Sequence, residues 1–271
     1  MVSQKEKNIF EIITLTILTL FILFALPHVF ADPTGGDIGT SINTSTAPND
    51  TAESHNAYAG NVSGITITAY STTQTWQGYY GNVSGTVQLA DAQDNVMYNW
   101  SLASPEGEVY ATTNQSLEWP SIQCFNMSAN GTMASTGSEV DGATNIAGLN
   151  LTLLEDRFTI AYDDVDGVDE TFVYTGGAGH DLFYTGSNEF TAGECNSTRI
   201  YRMNGSAENN IYEEAILYEP ESGSIVFASI IEESTVYGFK GTDNDFEMLV
   251  LEDGHGTNTV HTVYYFFVEI E

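Results

Sequence analysis

Apolar residues follow two unlike patterns along this chain. Residues 12–24 read IITLTILTLFILF, one nearly unbroken apolar run. From about residue 59 onward, short runs rich in Val, Ile, Thr, Tyr and Phe alternate with polar positions and stop at Gly, Asn or Asp. A period of two puts every second side chain on one face, which is the signature of a half-buried strand. GITITAY places Ile65 and Ile67 together on such a face. GTVQLADAQDNVMYNWSL reads as two strands around a turn at 91–95, with Trp100 directed to a core. EVYATT is a further short strand, and FTIAY and ETFVY read as strands flanking the acidic loop DDVDGVD. YEEAILYEPESGSIVFASIIEE reads as a hairpin turned at Pro220 and Gly223, residue types suited to tight turns. HTVYYFFVEIE is apolar on both faces in its middle, so it belongs inside a sheet. Helical periodicity is not sustained after the first run; a short helix fits between 138 and 151. These elements predict an all-β fold: one β-sandwich-like domain, Ig-like or jelly-roll-like, of about ten strands over 59–271.

The pentapeptide GNVSG occurs twice, at 60–64 and 81–85. Each copy stands before an alternating run, so both are expected to start strands. Gly supplies backbone freedom there and Asn tolerates turn conformations. The repeated text is too short to indicate a repeat protein.

The first apolar run changes the picture at the N-terminus. Lys5 and Lys7 precede it, and Pro27 and the small-residue site ending at Ala31 follow it. That order describes a secretory signal cut after Ala31. A membrane anchor kept at 1–31 is the rival reading, and both leave the body outside the cell. Residues 32–58 are rich in Gly, Ser, Thr, Asn, Asp and Pro, and predict a flexible polar leader that cannot bury enough surface to offset ordering entropy.

Charge then narrows the partners. The net charge is −31, and residues 32–271 contain only four basic side chains: Arg157, Arg199, Arg202 and Lys240. Nucleic acid and anionic lipid need Lys and Arg to neutralise phosphate, so both are excluded as partners of the body. Only the N-terminal segment, if uncut, would contact a membrane. Eleven N-x-S/T sequons occur, at Asn43, Asn49, Asn61, Asn82, Asn99, Asn114, Asn126, Asn130, Asn150, Asn196 and Asn204. The composition would give roughly four by chance, so the excess points to an N-glycosylated exported protein. Cys124 and Cys195 are the only cysteines. Outside the cell the default is one disulfide, and neither has a Cys or His neighbour at zinc-site spacing.

TWQGYYGNVSGTVQL, YNWSLASPEGEVYAT, DFEMLVLEDGHGT and TVYYFFVEIE together resemble a family of uncharacterised secreted surface proteins of archaeal genomes. The resemblance spans roughly 59–271, is weakest over 126–150, and includes the positions of Cys124 and Cys195. It implies an exported, surface-exposed protein and supplies no catalytic residue.

Candidate chemistry is sparse. Asp164, Asp166, Asp169 and Glu170 offer oxygen ligands around Gly167, which suits a structural Ca²⁺, although Val173 stands where an EF-hand loop has its closing Glu. Asp243, Asn244 and Asp245 form a weaker candidate. His180 and His255 lie in loops beside carboxylates and His261 starts the last strand, but the three lack the spacing of a transition-metal motif. Trp76, Tyr79 and Tyr80 are candidates for an aromatic platform binding glycans or a partner. No nucleophile elbow, zinc-protease motif or phosphate loop occurs. The expectation is therefore a non-enzymatic, secreted or cell-surface protein, structural in an envelope layer or filament, with self-assembly or other surface proteins as partners. An adhesin or carbohydrate-binding module is the alternative, and an extracellular hydrolase a third class. No cofactor is expected beyond the candidate Ca²⁺.

Overall fold

The structure is a computed structural model that describes residues 32–39, 43–48, 51–102, 105–125, 151–161, 163–252 and 261–270. Among the described residues thirteen strands and two α-helices follow in chain order. The first six strands are β1 (Thr34–Gly35), β2 (Trp76–Gly81), β3 (Thr86–Ala90), β4 (Val96–Ser101), β5 (Gly107–Thr112) and β6 (Gln123–Cys124). Helices α1 (Leu151–Arg157) and α2 (Val168–Thr171) come next. The chain then makes β7 (Phe183–Thr185), β8 (Asn188–Phe190), β9 (Ser197–Arg199), β10 (Glu213–Glu219), β11 (Ser224–Ile230), β12 (Phe246–Leu251) and β13 (Tyr265–Ile270).

The architecture is all-β and sandwich-like. A seven-stranded antiparallel sheet runs β1-β13-β5-β11-β10, with β6 and β9 sharing the outer edge of β10. The β10–β11 hairpin turns where the sequence predicts it. Gly223 adopts φ 69° and donates its N–H to Glu219 O at 2.9 Å. The Glu219 carboxylate accepts the N–H groups of Glu221 and Ser222, both at 2.8 Å. β13 lies between β1 and β5, as its apolar middle requires. Thr34 and Gly35, inside the expected leader, pair with Val268 and Phe267 and lengthen this sheet.

Both faces of the main sheet are covered, because successive residues of its central strands point to opposite cores. On one face Val109, Ala111, Ile216, Tyr218, Ile225 and Phe227 pack with Met248, Val250 and Leu251 of β12 and with apolar residues of α1 and α2. On the other face Tyr110, Ala215, Leu217, Val226 and Ala228 pack with Trp119, Ile122 and the β7–β8 hairpin residues Phe183 and Phe190. Trp119 is buried in this second core between Tyr110 and Phe267. The β12–β2 ribbon is bonded to the main sheet by buried polar groups. Ser229 Oγ donates to Glu247 O at 2.9 Å, and Glu214 Oε2 accepts the Leu249 N–H at 2.8 Å.

Three strand expectations fail. GITITAY forms no strand and pairs with nothing among the described residues, and Ile65, Ile67 and Tyr70 are exposed. Phe158 and Thr159 of FTIAY turn the chain after α1, Ile160 and Ala161 form no strand, and ETFVY is split between α2 and an isolated bridge at Tyr174. Alternation alone cannot tell a strand from a helix end over five residues, and here tertiary packing of α1 decides. The helix expected between 138 and 151 lies outside the described residues except at Leu151, where α1 begins and runs on to Arg157.

The two GNVSG copies also part ways. The second joins β2 to β3: Gly81 closes β2, and Val83 donates its N–H to Asp245 Oδ2 at 2.6 Å. A Cβ on Gly85 would lie 2.3 Å from Ile270 Cδ1, so this Gly lets the loop approach β13 closely. The first copy is exposed coil and starts no strand.

Candidate functional site

The three aromatic candidates do not form a platform. Trp76 is half-buried against Phe172 and Phe227, with ring centroids 5.8 and 6.5 Å away. Its indole N–H donates to the Asp166 carbonyl at 2.7 Å. Tyr79 packs edge-on to Phe266 at 5.0 Å and joins the same core. Tyr80 alone points outward, against Phe239 and near the Lys240 ammonium. Strand-borne aromatics serve cross-strand and core packing here.

The acidic loop is rearranged relative to its sequence reading. Asp169 and Glu170 start α2, and their carboxylates meet Glu155 of α1: ligand oxygens of these three residues lie within 4.8 Å of one another. Leu151, Leu154 and Glu155 occupy positions i, i+3 and i+4 of α1, so Glu155 sits on the helix's buried side. Glu155 Oε1 accepts the N–H groups of Val168 at 2.7 Å and Asp169 at 3.3 Å, as a cap for α2. Oε2 of Glu155 and Oδ1 of Asp169 are buried without a hydrogen-bond partner. Burial, and the Asp169 carboxyl beside it, push the Glu155 carboxyl up to about 7. Asp166 is drawn elsewhere: its Oδ2 accepts from the Thr73 hydroxyl at 2.5 Å. Asp164 contributes its backbone carbonyl to this neighbourhood. The sequence reading missed Glu155, because LTLLEDR was not read as a helix. A Glu at an apolar position of a short helix was the available signal. In the weaker candidate, Asp243 Oδ1 accepts the Val236 N–H and Asp245 accepts from Val83, so both cap loops.

His180 is a structural residue. It is buried, Nε2 accepts the Cys195 N–H at 2.9 Å, and Nδ1 donates to Asp181 O at 2.6 Å. Burial lowers its pKa, consistent with a neutral ring whose two nitrogens are both engaged. His261 is exposed ahead of β13, and His255 lies outside the described residues. Among the described residues no His joins a carboxylate cluster. Cys124 and Cys195 form the expected disulfide, with Cα atoms 5.0 Å apart.

The sequons divide by burial. Asn43, Asn61, Asn82, Asn99 and Asn204 are exposed. Asn114 and Asn196 are half-buried; Asn196 Nδ2 donates to Phe172 O at 2.7 Å, so its amide is already engaged. Asn49, Asn126, Asn130 and Asn150 lie outside the described residues.

The most unusual surface carries Trp100, which was expected in a core. Among the described residues β3 and β4 pair only with each other, and every residue of both is exposed. Val87 lies opposite Trp100 and Leu89 opposite Tyr98, so these four share one face of the ribbon. They remain 48, 50, 52 and 59 % exposed for Val87, Trp100, Leu89 and Tyr98. The Tyr98 and Trp100 ring centroids lie 4.8 Å apart with their planes tilted at 54°. Thr86, Gln88, Asn99 and Ser101 form the polar face. Trp100 therefore has the alternation of a core residue, but no core of the described residues receives it.

Comparison with known proteins adds no relative. No family model matches the chain, and no curated protein or solved structure matches it significantly.

Proposed function

We propose that this chain is an exported, N-glycosylated, acidic surface protein of an archaeal envelope. Its role is structural and non-catalytic: it assembles with copies of itself into a layer or filament. The observation that carries this reading is the β3–β4 ribbon with an apolar face turned to solvent. A two-stranded ribbon is marginal alone and gains stability from a third strand or a covering surface. An exposed apolar face of this kind marks a contact surface.

Charge supports a second copy as the occupant. A chain of net charge −31 repels itself wherever carboxylates face each other. Yet residues 54–90 contain no Asp, Glu, Lys or Arg, and neither do 95–105. Those two stretches hold the whole ribbon except its turn, and also the segment GITITAY, which pairs with no strand among the described residues. In the assembly the GITITAY segment of one copy adds as a strand to the β3–β4 ribbon of the next, with Ile65 and Ile67 against Trp100 and Leu89. Strand addition uses main-chain hydrogen bonds for affinity and alternate side chains for specificity. A glycan on Asn99 would stand on the polar face and leave the apolar face open.

The test is sedimentation and electron microscopy of the purified exported chain at 1 M NaCl, where roughly 3 Å of Debye length removes most repulsion. Wild type is expected to form ordered oligomers. Trp100→Glu, or Ile65→Asp with Ile67→Asp, is expected to remain monomeric and folded. A wild type that stays monomeric, or variants that assemble equally, would overturn the reading. The Tyr98–Trp100 pair favours one second reading, an adhesin that stacks a sugar on these rings. Glycan binding by the monomer, lost in Trp100→Ala, would select it.

A further inference from the structure

We infer that Glu155, Asp169 and Glu170 bind a calcium ion that fixes α1 to the loop preceding α2. The first support is convergence: three carboxylates from two helices bring ligand oxygens within 4.8 Å of one another. Like charges at such a distance repel unless a cation or a proton stands between them.

The second support is the burial of oxygens within the cluster. Glu155 is fully buried, and its Oε2 has no hydrogen-bond partner; neither has Asp169 Oδ1. Buried carboxylate oxygens are rarely left so, and an ion is one of the few remaining partners.

No side-chain cation of residues 32–271 answers them. Arg157 directs Nη1 to the Gly223 carbonyl, Arg199 pairs with Glu213, Arg202 pairs with Glu208, and Lys240 lies over Phe239. Gly167 completes the geometry. A Cβ there would lie 2.5 Å from Glu155 Oε1, 2.5 Å from Glu170 Oε2 and 3.2 Å from the Asp164 carbonyl. Only a residue without a side chain leaves these oxygens free to converge.

The donor set is all oxygen, mixes carboxylates with a nearby backbone carbonyl, and contains no His or Cys. That is the preference of Ca²⁺ rather than of a transition metal. Glu170 is exposed, so an ion has a path from solvent. The consequence reaches beyond the cluster. The same loop holds Trp76 through the Asp166 carbonyl and Thr73 through the Asp166 carboxylate. Thr73 and Trp76 are where the GITITAY segment enters β2, so the ion would steady the root of that segment.

The experiment is thermal melting of the full exported chain at fixed high NaCl while Ca²⁺ is titrated, then chelated. The melting temperature is expected to rise to a plateau, with a midpoint of about 10⁻⁴ to 10⁻³ M as in extracellular modules, and to fall back with chelator. Glu170→Gln changes an exposed ligand and preserves the fold; it is expected to shift that midpoint by on the order of tenfold. Glu155→Gln is expected to abolish the response. Asp243→Asn removes a carboxylate outside the cluster and is expected to respond as wild type. A melting temperature indifferent to Ca²⁺, or an equal response in Glu170→Gln and wild type, would overturn the assignment.

Discussion

Glu232 shows what burial does to single acids in this molecule. Its Oε1 accepts the Tyr212 N–H, while burial, and then the nearby Glu213 and Asp181, push its carboxyl up to about 7. The unfolded value is about 4.3. The folded chain therefore holds this proton more tightly than the unfolded chain. The group's stabilising contribution is complete below the unfolded value and is lost as pH rises through about 7. Glu213, Glu214 and Glu247 are shifted in the same direction, each chiefly by burial. Melting temperature is thus expected to decline from about pH 4.5 to 7, and the decline should be shallower in Glu232→Gln, which cannot titrate. Parallel pH profiles for the two proteins at high salt would refute the assignment of this slope to Glu232.

At the level of elements, the edge of β10 depends on a covalent tie. β6 pairs with the Leu217–Tyr218 part of β10, and β9 with its Glu213–Ala215 part. Both are too short to hold that edge by backbone bonds alone. Cys124 ends β6 and Cys195 lies two residues before β9, so the disulfide binds the two along a single strand. It closes 71 residues of sequence, a loop whose constraint is about 4 kcal/mol in the chain-entropy model. Cys124→Ala with Cys195→Ala is expected to lower the urea midpoint by an amount of that order, and an unchanged midpoint would remove the tie from the account. The neighbouring elements show what pattern reading can reach. β10, β11 and β13 were legible because long apolar runs with turn residues between them admit one arrangement. The β3–β4 turn was legible because Asp91 and Asn95 close it locally, with the Asp91 carboxylate accepting from Gln93 and Asn95. GITITAY was misread because alternation reports strand propensity, whereas pairing needs a partner in space. Glu155 was invisible because its partners are 14 and 15 residues away and meet it only through α1 packing.

On the scale of the whole molecule, the acidity and the ribbon have opposite effects, and salt decides between them. Residues 32–271 contain four basic side chains, two of which pair with Glu213 and Glu208. Most acids therefore have no ion-pair partner, and their repulsion acts on the folded chain as well as between chains. Raising NaCl from about 0.1 to 1 M shortens the screening length from about 10 to 3 Å, and this weakens both effects together. Hydrophobic contact at the ribbon is not weakened by the same change. The monomeric Trp100→Glu protein isolates the first effect, because it carries the full charge without the apolar contact. Its melting temperature is expected to rise with NaCl and to be independent of protein concentration. Wild type should show the same rise and, in addition, a dependence on its own concentration that grows with salt, as linkage to assembly requires. Concentration-independent melting of wild type in 1 M NaCl would leave the ribbon without a partner of its own kind. A flat salt response in Trp100→Glu would instead show that the charge is already neutralised, for which bound cations at clusters such as Glu155, Asp169 and Glu170 are the available agent.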